Sequence, residues 1–80
     1  MPIEELKRKV ESVYGNIMFH EAMQHNEGLP VQTPEYMRMM RELQGYTEIL
    51  CERMDSDAYR EHKQSVEERG RLTYERNRRQ

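Results

Sequence analysis

Eighty residues allow one small domain at most. Leu, Ile, Val and Phe together fill only 13 of the 80 positions, and Met fills another 7, so any core is thin and rich in methionine. Fifteen acids against 13 Lys and Arg leave a net charge of −2, which is too balanced for a chain kept unfolded by self-repulsion. The length argues against a multi-domain enzyme. Cys51, being alone, argues against a disulfide scaffold. No apolar run approaches the ~20 residues of a membrane span, and the opening MPIEELKRKV lacks the apolar stretch of a signal peptide. The expectation is a soluble cytoplasmic protein in a reducing compartment.

In chain order, the first element is a helix over about 3–25. Ile3, Leu6, Val10, Val13 and Ile17 are spaced 3, 4, 3, 4, which at ~100° per residue gives one narrow stripe. A second stripe of Gly15, Met18, Phe19, Ala22 and Met23 lies on the opposite side. The alternative of a hairpin turning at Gly15-Asn16 is disfavoured because the flanking residues do not alternate. Asn26 to Gln32 collects Asn, Gly and Pro and reads as a loop. Thr33 as a cap, Pro34 at the first helical position and Glu35 at the positive dipole end then start a second helix over 34–54. Its stripe is Tyr36, Met40, Leu43, Thr47, Leu50 and Met54, widened by Met39, Tyr46 and Cys51. Asp55 or Ser56 caps a third helix over 56–77, and 78–80 read as a frayed tail. The best stripe of this helix, Ala58, Tyr59, His62, Val66, Arg69 and Thr73, has one aliphatic residue larger than Ala. Leu72 and Tyr74 fall off it. Helices 1 and 2 are therefore expected to form the hydrophobic hairpin, with helix 3 leaning on it or on a neighbouring chain. The whole is an all-α, three-helix single domain over 1–80, packed as a homo-oligomeric bundle.

Several residue groups invite chemistry. His20-Glu21-Ala22-Met23-Gln24-His25 is close to H-E-x-x-H, but His residues five apart diverge by about 140° around a helix, whereas zinc needs them on one face. Glu21 and His25 do share a face, and read as an exposed pair beside the loop. Glu48, Glu52 and Asp55 form an acidic line. Helical nucleotide pyrophosphohydrolases pair E-x-x-E with E-x-x-D, and only Glu52-x-x-Asp55 matches, so a solvated face is the better reading. Cys51 has no base at a spacing that would activate it and reads as a small core hydrophobe. The methionines, Met37, Met39 and Met40 above all, suit an adaptable binding surface. Residues 1–68 carry 14 acids and 8 bases, whereas 69–80 carry Arg69, Arg71, Arg76, Arg78 and Arg79 against Glu75. Such a helix end can grip phosphates, or it can simply complement the dipole. Tyr59, His62, Arg69 and Thr73 combine the groups that would hold a small anionic or nucleotide-like ligand by stacking, hydrogen bonding and charge pairing.

From Pro34 onward, two helices with a short break, the layout resembles the helical-hairpin phage proteins that sequester cyclic-nucleotide signals of bacterial immunity. That family carries a Tyr-His-Pro-type motif before the hairpin and a Trp-Ala-Asn stretch near its end. This chain has Met23-Gln24-His25-Asn26 and Thr73-Tyr74-Glu75-Arg76-Asn77 there, so no residue role is carried over. The resemblance implies a sponge for a nucleotide ligand, as in phage counter-defence proteins.

The reading that fits the residues best is a non-enzymatic inhibitor or adaptor with no cofactor, no metal and no catalytic residue, presenting a helical surface to a protein partner. Tyr59, His62, Arg69, Thr73 and Met37 are its candidate ligand or partner contacts. Met18, Phe19, Ala22 and Met23 are the expected interface of a two-fold homodimer. The alternatives are the anionic-ligand sponge and nucleic-acid binding through the C-terminal arginines; a membrane partner is not expected. Arg76, Arg78 and Arg79 are expected to be dispensable for folding, so that truncation after Tyr74 leaves thermal stability nearly unchanged.

Overall fold

A computed structural model describes residues 1–78. Three helices carry them: α1 (Ile3–Glu27), α2 (Pro34–Arg53) and α3 (Ser56–Asn77), with no strand among the described residues. The helix ends are set by local chemistry. Thr33 Oγ1 accepts the Tyr36 amide at 3.1 Å and Asp55 Oδ1 accepts the Ala58 amide at 2.9 Å, so each side chain satisfies one orphan donor of the helix it caps. At the end of α1, Gly28 adopts φ 67°, the left-handed region. Its N–H donates to the His25 carbonyl at 3.2 Å, and the Leu29 N–H donates to the Gln24 carbonyl at 2.9 Å. That pair of bonds closes the last turn in a Schellman motif, which a residue with a Cβ would strain. α1 runs unbroken through Gly15-Asn16.

α1 is the central element. α2 returns antiparallel along it, with His20 beside Val31, Thr33 and Tyr36 at one end and Ile3, Leu6, Leu50 and Met54 gathered at the other. α3 runs parallel to α1, from His62 near Lys7 and Glu11, past Gly70 against Tyr14 and Met18, to Asn77 at Asn26. α2 and α3 barely touch each other. The spacing-derived stripe of α1 is buried as expected at Leu6, Val10, Val13 and Ile17; Leu50 of α2 and Val66 of α3 complete the core.

The expected division into a hydrophobic α1–α2 hairpin and a loosely leaning α3 is not what forms. α3 packs on α1 at least as extensively as α2 does. Its buried line is His62, Val66 and Gly70. Arg69 is exposed, and Tyr74 is half-buried against His25 rather than turned away. The reason is Gly70. A Cβ built there would lie 2.1 Å from the Tyr14 ring and 3.0 Å from Met18 Cγ, so its absence lets α1 side chains sit on the α3 backbone. The second stripe of α1 is accordingly covered in part by its own chain. Ala22 is fully buried and offers no surface to a second molecule, Met18 packs beside Gly70, Met23 is half-buried, and only Phe19 is 48% exposed. Cys51 is exposed rather than in the core, because α2 meets the rest of the molecule along one side only and Leu50 fills that side. The C-terminal end is docked: Asn26 Nδ2 donates to the Asn77 carbonyl at 2.7 Å, and the Arg78 guanidinium donates to Asn26 Oδ1 at 2.6 Å. The remainder of the tail, including Arg79, lies outside the described residues.

Two outcomes follow from this packing. Gly45→Ala, where a Cβ meets nothing within 4 Å, gains helix propensity and should stabilise by up to about 1 kcal/mol, whereas Gly70→Ala should lose about that much net to overpacking. Thermal denaturation of the two variants checks the opposite signs, and equal shifts would mean that Tyr14 yields freely. Deleting residues 75–80 removes both hydrogen bonds at Asn26, at about 1 kcal/mol each at most, and should lower the melting temperature by roughly 5 °C.

Candidate functional site

Because α2 and α3 both seat on α1 yet scarcely meet, a groove of about 560 Å³ opens between them. Val10 and Tyr14 of α1 form its floor. Met37, Met40, Leu43 and Thr47 make the α2 wall, with Arg41 and Gln44 at the rim. Tyr59, His62 and Val66 make the α3 wall, with Lys63 and Glu67 at the rim. The heptad-like spacing that places Leu50 in the core carries Leu43 and Met40 up this wall, where α3 has diverged. Met37 and Met40 are 46% and 38% exposed, as flexible apolar lips. Arg41 and Lys63 make no ion pair within 4 Å among the described residues, whereas Lys7, Arg60, Arg69 and Arg71 all do.

Two phenols, Tyr14 in the groove floor and Tyr36 beside Glu21 outside its lining, are shifted in the same direction. The Tyr36 hydroxyl donates to Glu21 Oε2 at 3.4 Å; burial, then the Glu21 charge, pushes the phenol above its usual range. Burial, with Glu67 and Glu21 adding to it, does the same to Tyr14. Both phenols therefore stay protonated at neutral pH, and that of Tyr36 serves as a hydrogen-bond donor. His62, 8% exposed, has a buried Nε2 without a hydrogen-bond partner. Burial and the nearby Lys7 ammonium lower its pKa, against weaker opposing pulls from Glu11 and Glu4.

The structure divides the residues singled out from the sequence. Tyr59, His62 and Met37 come together in the groove. Arg69 and Thr73 lie on the other flank of α3, in a smaller depression with Arg8, Glu11, Ser12 and Gly15. There Arg69 Nη1 is paired with Glu11 Oε2 at 3.1 Å, and the Thr73 hydroxyl donates to the Arg69 carbonyl at 3.0 Å. One small anion therefore cannot engage Tyr59, His62, Arg69 and Thr73 together. Met40, read from the sequence as part of an adaptable binding surface, also lines it, whereas the groove residues not anticipated, Val10, Tyr14, Arg41, Lys63 and Glu67, belong to three helices, and no single-helix stripe groups them.

The remaining polar motifs have structural roles. His20 Nε2–H donates to the Val31 carbonyl at 3.1 Å and its ring stacks on Tyr36, while His25 Nδ1 shares a 2.7 Å hydrogen bond with the Tyr74 hydroxyl. The two imidazoles thus clasp different neighbours of α1. Asp55 caps α3, and Glu48 accepts from Gln44 at 3.3 Å. Of the basic C-terminus, Arg71 bridges Glu68 and Glu75, Arg69 bridges Glu11 and Arg78 holds Asn26, so these arginines already have acceptors within the chain. Comparison with known protein families, with curated proteins and with solved structures finds no match for this chain.

His62 gives the fold an acid sensitivity with a defined sign. Its folded pKa lies below the ordinary 6.5, so the unfolded chain binds more protons between those two values. Stability is intact above pH 6.5, falls as pH drops from 6.5 to the folded value, and levels off for this group below it. His62→Leu removes the titration. Its urea midpoint should therefore fall less than that of the wild type between pH 7.5 and 5.5, whereas parallel falls would assign the acid sensitivity elsewhere.

Proposed function

We propose that this protein is a non-enzymatic binding module, of inhibitor or adaptor type, that receives an apolar helical face of a protein partner in the groove between α2 and α3. The observation that carries this reading is the open apolar trough itself, floored by Val10 and Tyr14 and walled by Met37, Met40, Leu43 and Tyr59. Its volume is in the range of binding clefts. Its shape, two helices diverging over a third, is that of a trough which takes an amphipathic helix through residues at i, i+3, i+4 and i+7. Methionine lips adapt to different side chains, and the Arg41, Lys63 and Glu67 rim supplies orientation. Self-association fits the same geometry. The anionic-ligand and nucleic-acid readings have less to support them, since Arg69 and Thr73 are remote from the groove and most of the described C-terminal arginines are paired.

The test compares matched charge insertions on the two sides of α2. Met40→Glu places a carboxylate on the groove lip, whereas Ile49→Glu places one at an exposed apolar position that does not line it. Proteins that co-purify with the wild type should be lost from Met40→Glu by at least tenfold and kept by Ile49→Glu. Retention of every partner by Met40→Glu would sink the proposal.

A further inference from the structure

The occupant of the groove, we infer, is a second copy of this chain, in a two-fold dimer whose axis runs along the groove; this rests on the reading of the groove as a docking surface. Such an axis lays α2 of each copy over α3 of the other. It is a closed arrangement, in which every contact occurs twice. Three observations select this occupant.

The first is area. The chain exposes 5688 Å², whereas a compact monomer of its 9.8 kDa mass exposes about 5,200 Å² by the usual scaling. The excess of roughly 500 Å² belongs to the whole of an elongated surface, 40 × 24 × 17 Å, and a two-fold contact on the groove face would bury part of it, against the ~800 Å² that each partner contributes to a standard interface. The second is shape. The same face bears both the trough and the projecting lips, Met37 and Met40, so one copy's lips can fill the other's trough.

The third is charge. Arg41 on the α2 wall and Glu67 on the α3 wall line the same groove without pairing across it. α2 runs antiparallel to α3, and both residues lie near the level of the middle of α1. A two-fold axis along the groove therefore brings Arg41 opposite the partner's Glu67, and Glu67 opposite the partner's Arg41. The α2 rim carries Arg41 and the α3 rim carries Glu67 with Lys63 one turn before it, so at the level of Arg41 and Glu67 the groove is complementary to itself. A purely acidic or purely basic helix would meet a like charge on one side.

Sedimentation velocity of the full chain from 1 to about 100 µM tests this. The wild type should sediment as a species of twice 9.8 kDa, and Met40→Glu should weaken association at least tenfold with an unchanged helical circular-dichroism spectrum. Phe19→Glu, an exposed position outside the groove, should leave the dimer intact. Arg41→Glu should also weaken it, and adding Glu67→Arg should restore it, because the swap preserves both cross-copy pairs. A wild type that stays monomeric at 100 µM overturns the second copy as occupant, and the co-purification contrast between Met40→Glu and Ile49→Glu then decides the groove separately. A dimer that survives Met40→Glu but is lost in Phe19→Glu places the interface on α1 and also overturns the inference. So does an Arg41→Glu defect that Glu67→Arg fails to restore.

Discussion

At Gly70 the backbone of α3 comes so close to α1 that the Tyr14 ring and Met18 occupy the space of the missing side chain. With that approach, Val66 and His62 reach the core one and two turns earlier, and Tyr74 and Asn77 meet His25 and Asn26 one and two turns later. A third helix with so little aliphatic surface cannot be held by area alone, at ~25 cal/mol per Å² of apolar burial. It is held by closeness, which adds dispersion contacts, and by hydrogen bonds that form only when the helices are near.

The groove is the complement of that contact. α1 gives one flank to α3 and the other to α2, and a helix about 10–12 Å across with its side chains keeps its two neighbours apart. What remains between them is apolar on all three sides because each helix was already turning its stripe toward the same centre. The core that results is small: Leu6, Ile17 and Leu50 are the largest side chains fully out of water. A domain of this size gains little stability from such a core, so the partly buried methionines and tyrosines around the groove carry a share of what holds the helices together.

The sequence makes part of this legible. Leu6, Val10, Val13 and Ile17 show their burial through spacing alone, and Thr33 and Asp55 show their capping through residue type and position. Gly70 gives no such signal, since a glycine in a polar helix is equally compatible with an open surface, as at Gly15 and Gly45. Spacing alone therefore leaves Tyr74 off the buried stripe of α3 and the second stripe of α1 without a cover. Met37, Tyr59 and His62 could be picked out by their chemistry. Spacing groups Arg69 and Thr73 with them because an ideal stripe treats one helix face as one environment. In the folded chain that face straddles α1, with the groove on one flank and the Glu11 pair on the other.

The contacts that fasten α3 to α1 join residues far apart in the chain: His25 with Tyr74 across 49 positions, Asn26 with Asn77 across 51, and Glu11 with Arg69 across 58. The clasp of His20 onto Val31 and Thr33 spans only 11 and 13. During synthesis the α1–α2 pair can therefore close while α3 is still unmade. Until α3 is made and free to pack, Tyr14 and Met18 stand bare on the side of α1 that Gly70 will later cover. In that interval the α1–α2 pair carries an apolar flank that the finished fold covers. A chain whose long-range closure waits for its third helix offers that flank, until then, to chaperones and to other newly made copies of itself.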